Sequence, residues 1–244
     1  KSFSTKHIKN INNLIYAKKN KNWDISKNID NWIINFIKDF QSIIIRQIDK
    51  SKKIVFLRHG KTKMNDGTFL GQNRNPDIDI SQNKVKRKLQ CNKIYSSPLK
   101  RSVQTAKLIS KSKIIHDKNL LEINYGKIEG LTINKLRSKF PKLIDNWKNG
   151  NDPKFPSGES QGDVARRLNI FLKKIIRNNS KKICVVTHNV VLRCLIGIYF
   201  KVEKKFWYKI NIPHLLELEF LINNKMIYPN INRKKVKKIL SNFE

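Results

Sequence analysis

The chain has 244 residues and carries 52 Lys+Arg against 18 Asp+Glu, a formal net charge of +34. That length supports one sizeable core with an appendage as readily as two domains, and no stretch reaches the roughly 18–20 continuous apolar residues that a membrane span needs. The excess charge favours anionic partners, although lysine, asparagine and isoleucine crowd together as in KHIKNINNLIYAKKNKNWD, which points to A+T-rich coding as one source of the lysine.

In the N-terminal segment, Ile29, Trp32, Ile33, Phe36, Ile37, Phe40, Ile44 and Ile48 recur at spacings of three and four. This predicts one amphipathic helix in an extension over residues 1–53, packed as an accessory element rather than anchored in a membrane, since its polar face is mixed rather than cationic. From Ile54 strand and helix signals alternate. IVFLRHG reads as a short buried strand stopped by glycine, and KIYSSP (93–98) as a strand and turn. LKRSVQTAKLIS reads as a helix with Ser97 as cap and Pro98 at its first position. A helix is also expected in DIDISQNKVKRKLQC between these two strands. KIIHDKNLLE gives a strand and loop, VARRLNIFLKKIIRN an amphipathic helix, KKICVVTH (181–188) a buried strand, NVVLRCLIGIYF a helix and HLLELEFLI (214–222) a late strand. Residues 145–162, rich in Gly, Pro, Asn and Ser, read as a long loop, and residues 224–244 as a solvated basic tail. The pattern predicts an α/β fold: a three-layer α/β/α sandwich over residues 54–223 with a mostly parallel central sheet.

Two strands end in histidine, at His59 and His188. Arg58 precedes the first, Arg101 sits in the helix after KIYSSP, and Glu122 heads the loop after the short third strand. The carboxyl ends of parallel strands meet on one rim, where ligands bind. A pocket with two arginines, two histidines and a glutamate suits phosphoryl chemistry. Paired guanidinium donors hold a phosphate dianion, a neutral imidazole attacks phosphorus, and a carboxylic acid protonates the leaving oxygen.

These segments resemble the histidine phosphatase superfamily, also called phosphoglycerate mutase-like. The signature Arg-His-Gly-x-Thr-x-x-Asn stands in full as RHGKTKMN, and YSSPLKRSVQTA, LLEINYGKIEGL, FPSGESQGDVARRL and VVTHNVVLR resemble the family's later segments. The resemblance implies His59 as nucleophile, Glu122 as acid, Arg58, Arg101 and His188 as partners of the phosphoryl group, and Thr62, Asn65 and Asn189 as substrate contacts. Two departures stand out: the family's Leu-Thr-x-x-Gly segment lacks its glycine in DISQNKVKRK, and Asn124 stands where aspartate is common.

The resemblance further implies a metal-independent phosphomonoesterase of the phosphatase branch, working through phosphohistidine on a small phosphorylated metabolite, with no cofactor and no metal. The acid segment is of the phosphatase type, and the part between Gly130 and Gly162 is short beside the cap of glycolytic mutases. Mutase-type phosphoryl transfer is the alternative within the family. A basic nucleic-acid-binding protein is the alternative outside it, without an RNP-type strand or zinc-finger spacing to support it. Cys91, Cys184 and Cys194 show neither metal-ligand nor disulfide spacing and read as thiols of a reducing, cytoplasmic protein. No specific nucleic acid and no membrane are expected as partners, and the sequence leaves the oligomeric state open.

Overall fold

Strand β1, Lys52–Arg58, lies at the centre of a six-stranded sheet with the order β3-β2-β4-β1-β5-β6. The computed structural model describes residues 51–64, 66–85 and 88–243. The chain divides into residues 1–50 and 51–244, so the helix expected over 29–48 lies outside the described residues, as does Asn65. In the second unit, β2 (Lys93–Ser96), β3 (Ile114–His116) and β4 (Lys182–Thr187) run parallel to β1. The late strand β5 (Glu217–Asn223) pairs antiparallel with β1, and β6 (Met226–Pro229) closes the edge against β5.

Side chains alternate across the strands. On one face Ile54, Phe56, Tyr95, Ile183, Val185, Leu218 and Phe220 join a large core. Helices α4 (Gln161–Ile176) and α5 (Asn189–Tyr199) supply the rest of its central packing, including Phe171, Leu168 and Leu195. Phe56 and Phe220 meet edge to face at 5.6 Å. Phe171 is fully buried, and truncating such a ring to alanine costs about 3–5 kcal/mol. On the other face Val55, Leu57, Ile94, Cys184 and Val186 pack against Ala106 and Ile109 of α1 (Lys100–Ile109) and against Leu89. The three layers are those the sequence predicts.

Several expectations change. Between β1 and β2 the described residues form only a 3₁₀ turn at Ile80–Gln82, not the expected helix. Its end is committed elsewhere: Asn83 Oδ1 accepts the Lys61 N–H at 2.7 Å and Nδ2 donates to the Lys61 carbonyl at 2.8 Å. Helix α1 starts at Lys100 after Leu99, not at Pro98; the Ser97 hydroxyl accepts the Leu99 N–H at 3.4 Å and also lies 2.8 Å from His188 Nε2. Helices α2 (Ile133–Lys139) and α3 (Pro141–Lys148) shorten the expected long loop to residues 149–160. That loop is stitched down: Phe155 is buried and the Lys127 N–H reaches the Pro156 carbonyl. Ser160 and Asp163 then form a reciprocal capping box at the start of α4.

Of the segment read as a solvated tail, residues 224–243 are described, and they are not one. They form β6 and α6 (Arg233–Ile239), with Ile227 and Ile239 buried, and the Ile239 carbonyl accepts the Asn211 N–H at 2.8 Å. The docked end thus braces the strand-like segment that leads into β5.

Candidate active site

His59 follows β1 directly, and its N–H donates to the Thr187 carbonyl of β4 at 2.9 Å. The next N–H, of Gly60, donates to Thr105 Oγ1 at 2.9 Å, and that hydroxyl donates in turn to the Arg101 carbonyl. A side chain at residue 60 would meet Asn83 Oδ1 at 2.4 Å and displace the Asn83 amide that braces the loop. His59 is 4% exposed, buried rather than facing solvent as a strand-end residue is expected to be.

The imidazoles of His59 and His188 lie with ring centroids 5.0 Å apart. His59 Nδ1 is 2.7 Å from the Gly60 carbonyl oxygen, an obligate acceptor, so Nδ1 carries the proton and Nε2 keeps its lone pair. Burial, then Arg101 and Arg58, hold the ring well below the usual histidine pKa and therefore neutral. His188 is fully buried at the end of β4. Its Nδ1 accepts from Arg101 Nε at 3.3 Å, which leaves the proton on Nε2 facing Ser97 Oγ at 2.8 Å and Ser102 Oγ at 3.2 Å. Burial and the Arg101 guanidinium depress this histidine as well.

Arg101 is 1% exposed and donates through Nη2 to the Gly71 carbonyl at 2.7 Å. Arg58 donates through Nη1 to the Ile212 carbonyl, while its buried Nε has no partner among the described residues. Desolvation lowers the Arg58 guanidinium to about 10, still charged at neutral pH.

Glu122 comes from the loop after β3 and sits at the N-terminus of α5. Its carboxylate accepts the N–H groups of Asn189 (3.1 Å), Val190 (3.2 Å) and Ile123 (3.0 Å). Burial pushes its pKa up, against those donors and against Arg101 and Arg58. The Glu122 carbonyl is held by Gln72 Nε2 at 2.7 Å and Arg167 Nη2 at 3.1 Å, and Arg167 is gripped by Glu159 at 3.0 Å. Further along, Gly126 has φ +52, and a side chain there would meet the Pro156 carbonyl at 2.1 Å. This turn lets the acid segment and loop 149–160 interlock.

The structure therefore gathers His59, Arg58, Arg101, Glu122 and His188 on one rim. Asn189 joins through its backbone, its buried Oδ1 without a partner among the described residues. Thr62 is buried three residues beyond His59 and bridges to Ile78. No group of three or more His, Cys, Asp or Glu among the described residues has the arrangement of a metal site.

The family model for the histidine phosphatase superfamily (branch 1) matches residues 54–221. The chain belongs to this superfamily. Among curated histidine phosphatase relatives, phosphoserine phosphatase 1 of Hydrogenobacter thermophilus is 28% identical over 170 residues, covering 64% of this chain and 80% of the relative. The fructose-2,6-bisphosphatase of Saccharomyces cerevisiae is 30% identical over 155 residues, 62% of this chain and 31% of that larger protein. Among solved structures, phosphoserine phosphatase of Entamoeba histolytica, in complex with 3-phosphoglyceric acid, superposes with a TM-score of 0.63 at 21% identity, covering 73% of this chain and 95% of that one. This last likeness concerns the fold.

Two residues near the histidine phosphatase site escape the motif reading. His214 lies 5.3 Å from the His59 ring, and its Nδ1 donates to the His59 carbonyl at 3.0 Å. Burial and Arg58 lower it to about 4. The signal was present in HLLELEF: an antiparallel neighbour of β1 begins where β1 ends, since Leu57 pairs with Glu217. Arg193 lies one helical turn beyond Asn189 and donates through Nε to the Ile210 carbonyl at 2.9 Å.

Proposed function

We propose that the protein hydrolyses small phosphomonoesters through a phosphohistidine at His59. The observation that carries this reading is the His59 tautomer: Nδ1–H is tied to the Gly60 carbonyl, and a neutral Nε2 lies among guanidinium groups at the rim. Nε2 attacks phosphorus as the P–O bond to the leaving group breaks, and Glu122 gives its proton to the departing alkoxide. Water then attacks the phosphohistidine, Glu122 takes the water's proton, and the N–P electron pair returns to Nε2. Arg58 and Arg101 stabilise the equatorial oxygens of the transferring group, and His188, its Nε2–H turned to Ser97 and Ser102, holds Arg101 in place through Nδ1. Thr62, Asn65 and Asn189 complete the substrate contacts in this reading.

Names of relatives such as phosphoserine phosphatase and fructose-2,6-bisphosphatase support hydrolysis of small phosphorylated substrates over a nucleic-acid role. No helix among the described residues is long and apolar enough to cross a membrane. The three cysteines are free thiols, which fits the cytoplasmic assignment we retain.

The test is turnover of a panel of phosphorylated metabolites with and without EDTA, followed by an acid-free quench of the enzyme. The expected result is chelator-resistant hydrolysis with acid-labile phosphate on His59. Dependence on added magnesium, or label on Ser96 or Ser97, overturns the mechanism.

A further inference from the structure

Segment 212–216 wraps the end of β1, its Ile212 carbonyl taken by Arg58 Nη1. Up to Leu57 the ladder between β1 and β5 is regular, with Leu57 opposite Glu217. One residue further, the Arg58 N–H donates to the Leu216 carbonyl at 3.4 Å, while the Arg58 carbonyl accepts the Leu215 N–H at 3.1 Å. Two residues therefore oppose one, which makes a β-bulge. Its first residue, Leu215, has φ +59, and no other apolar residue among the described ones has a positive φ. Glycine usually fills that left-handed place in a bulge of this kind, and a bulky side chain adopts it only under strain. The Leu216 N–H also closes a turn onto the Pro213 carbonyl at 3.2 Å, so Leu215 stands at the turn position that favours glycine as well. Strain of this kind persists where the surroundings enforce it, and it gathers at functional sites.

The extra residue changes the register. A regular ladder would set residue 215 beside His59, whereas the bulge sets His214 there. The His214 ring lies 5.3 Å from the His59 ring, and its Nδ1 is 3.0 Å from the His59 carbonyl oxygen. That oxygen only accepts, so the proton of the neutral His214 ring is on Nδ1. The peptide between His59 and Gly60 is thereby held at both ends, by His214 on its oxygen and by Thr105 on its N–H at 2.9 Å. The following peptide is held by Asn83, which accepts the Lys61 N–H at 2.7 Å, and its oxygen is the Gly60 carbonyl that takes the His59 Nδ1 proton.

We infer that His214 is a positioning residue for the proposed nucleophile: brought beside His59 by the bulge at Leu215, it fixes the first of the two peptides that set the orientation and tautomer of the His59 ring. This rests on the phosphomonoesterase reading above. Because His214 acts through His59 and not on the leaving group, its loss slows phosphorylation by good and poor leaving groups alike, unlike the loss of Glu122.

Two polar variants test it. In His214→Asn the amide nitrogen stands as many bonds from the backbone as Nδ1 does, and in His214→Gln as many as Nε2 does. Single-turnover phosphorylation by nitrophenyl phosphate and by glycerol 3-phosphate is expected to fall about tenfold to a hundredfold in His214→Gln and His214→Leu, by the same factor for both substrates. In His214→Asn it stays close to wild type. Imidazole nitrogen resonances measured by NMR supply a readout independent of turnover. The expected result is the Nδ1–H form of His59 in the wild-type protein and His214→Asn, and a mixture of both tautomers in His214→Gln. Equal losses in His214→Asn and His214→Gln, or no loss in His214→Gln with unchanged circular dichroism, overturn the inference. A loss confined to glycerol 3-phosphate overturns it too, because it places His214 on the leaving-group side. Failure of the wild-type protein to turn over either substrate removes the phosphomonoesterase reading itself. The tautomer then still decides the positioning role, which an unchanged Nδ1–H form in His214→Gln overturns.

Discussion

The side of the cleft that we propose holds the phosphate and the side that we propose protonates the leaving group are built differently. His59, Arg58 and His188 stand at strand ends, their main chain fixed by the ladder between β1 and β4, and Arg101 stands in the first turn of the helix after β2. Glu122 stands on no strand or helix. Its position depends on side chains reaching in from Gln72 and Arg167 and on the interlock at Gly126. Groups on the first side are thus positioned by the sheet itself, whereas those on the second are positioned by a network that spans three loops and helix α4. Substitutions that spare the sheet should remove chemistry on the phosphate side cleanly, and should tune chemistry on the other side from a distance.

The largest expected effect is that of His59→Ala. Removing a nucleophile costs on the order of a millionfold in turnover, with the fold retained because the backbone N–H groups of residues 59 and 60 keep their partners. Circular dichroism and nitrophenyl phosphate hydrolysis check this. Substantial residual turnover would place the nucleophile elsewhere and dissolve the contrast between the two sides.

Glu122→Gln should lower phosphorylation of His59 by alkyl phosphates by about a hundredfold to ten-thousandfold, and by nitrophenyl phosphate far less, because nitrophenolate leaves without a proton. Single-turnover rates for both substrate types decide. Equal losses would make Glu122 a structural residue. The raised pKa of Glu122 carries a matching signature: with alkyl phosphates the phosphorylation rate falls as pH rises through that pKa, since the acid must be protonated.

Gln72→Ala sharpens the comparison, because Gln72 touches only the Glu122 backbone among the acid's own atoms. As a positioning residue it should cost alkyl phosphates about tenfold to a hundredfold, with nitrophenyl phosphate nearly spared. An equal loss for both substrates would show that Gln72 acts on the cleft as a whole.

The smallest effect concerns stability. His214 is lowered in the folded protein from the usual 6.5 to about 4, so below pH 6.5 the unfolded chain binds the extra proton first. Its contribution is present above pH 6.5 and lost as pH falls toward 4. His59 and His188, also held well below the usual histidine value by burial, add to the loss as pH falls. Thermal denaturation at a series of pH values should show wild-type stability falling over this window, with a shallower fall in His214→Gln. An unchanged slope would remove His214 from the titration.

How legible each part was follows from how its information is carried. The segment of the proposed nucleophile His59, the second arginine and the second histidine are each local: a β-branched run, a stop and a reactive residue within a few positions, as in IVFLRHG and KICVVTH. The predicted α1 start lies two residues too early, and no local pattern announces that Ser97 meets His188, 91 positions away in sequence. The residues read as a basic tail instead dock as β6 and α6, because Ile227 and Ile239 find apolar surface that no local pattern announces. Isolated apolar residues among lysines carry too weak a period to read.

From its sequence alone, this chain determined an alternating α/β order and the reactive groups that end its parallel strands, since strand burial and glycine stops are properties of neighbouring residues. Tertiary structure decided which Nε2 is free, that Glu122 is caught at the N-terminus of α5, and that His214 and Arg193 border the same cleft. Those outcomes require carbonyls and N–H groups from segments far apart in the chain to meet in one desolvated place, and only the folded sheet brings them there.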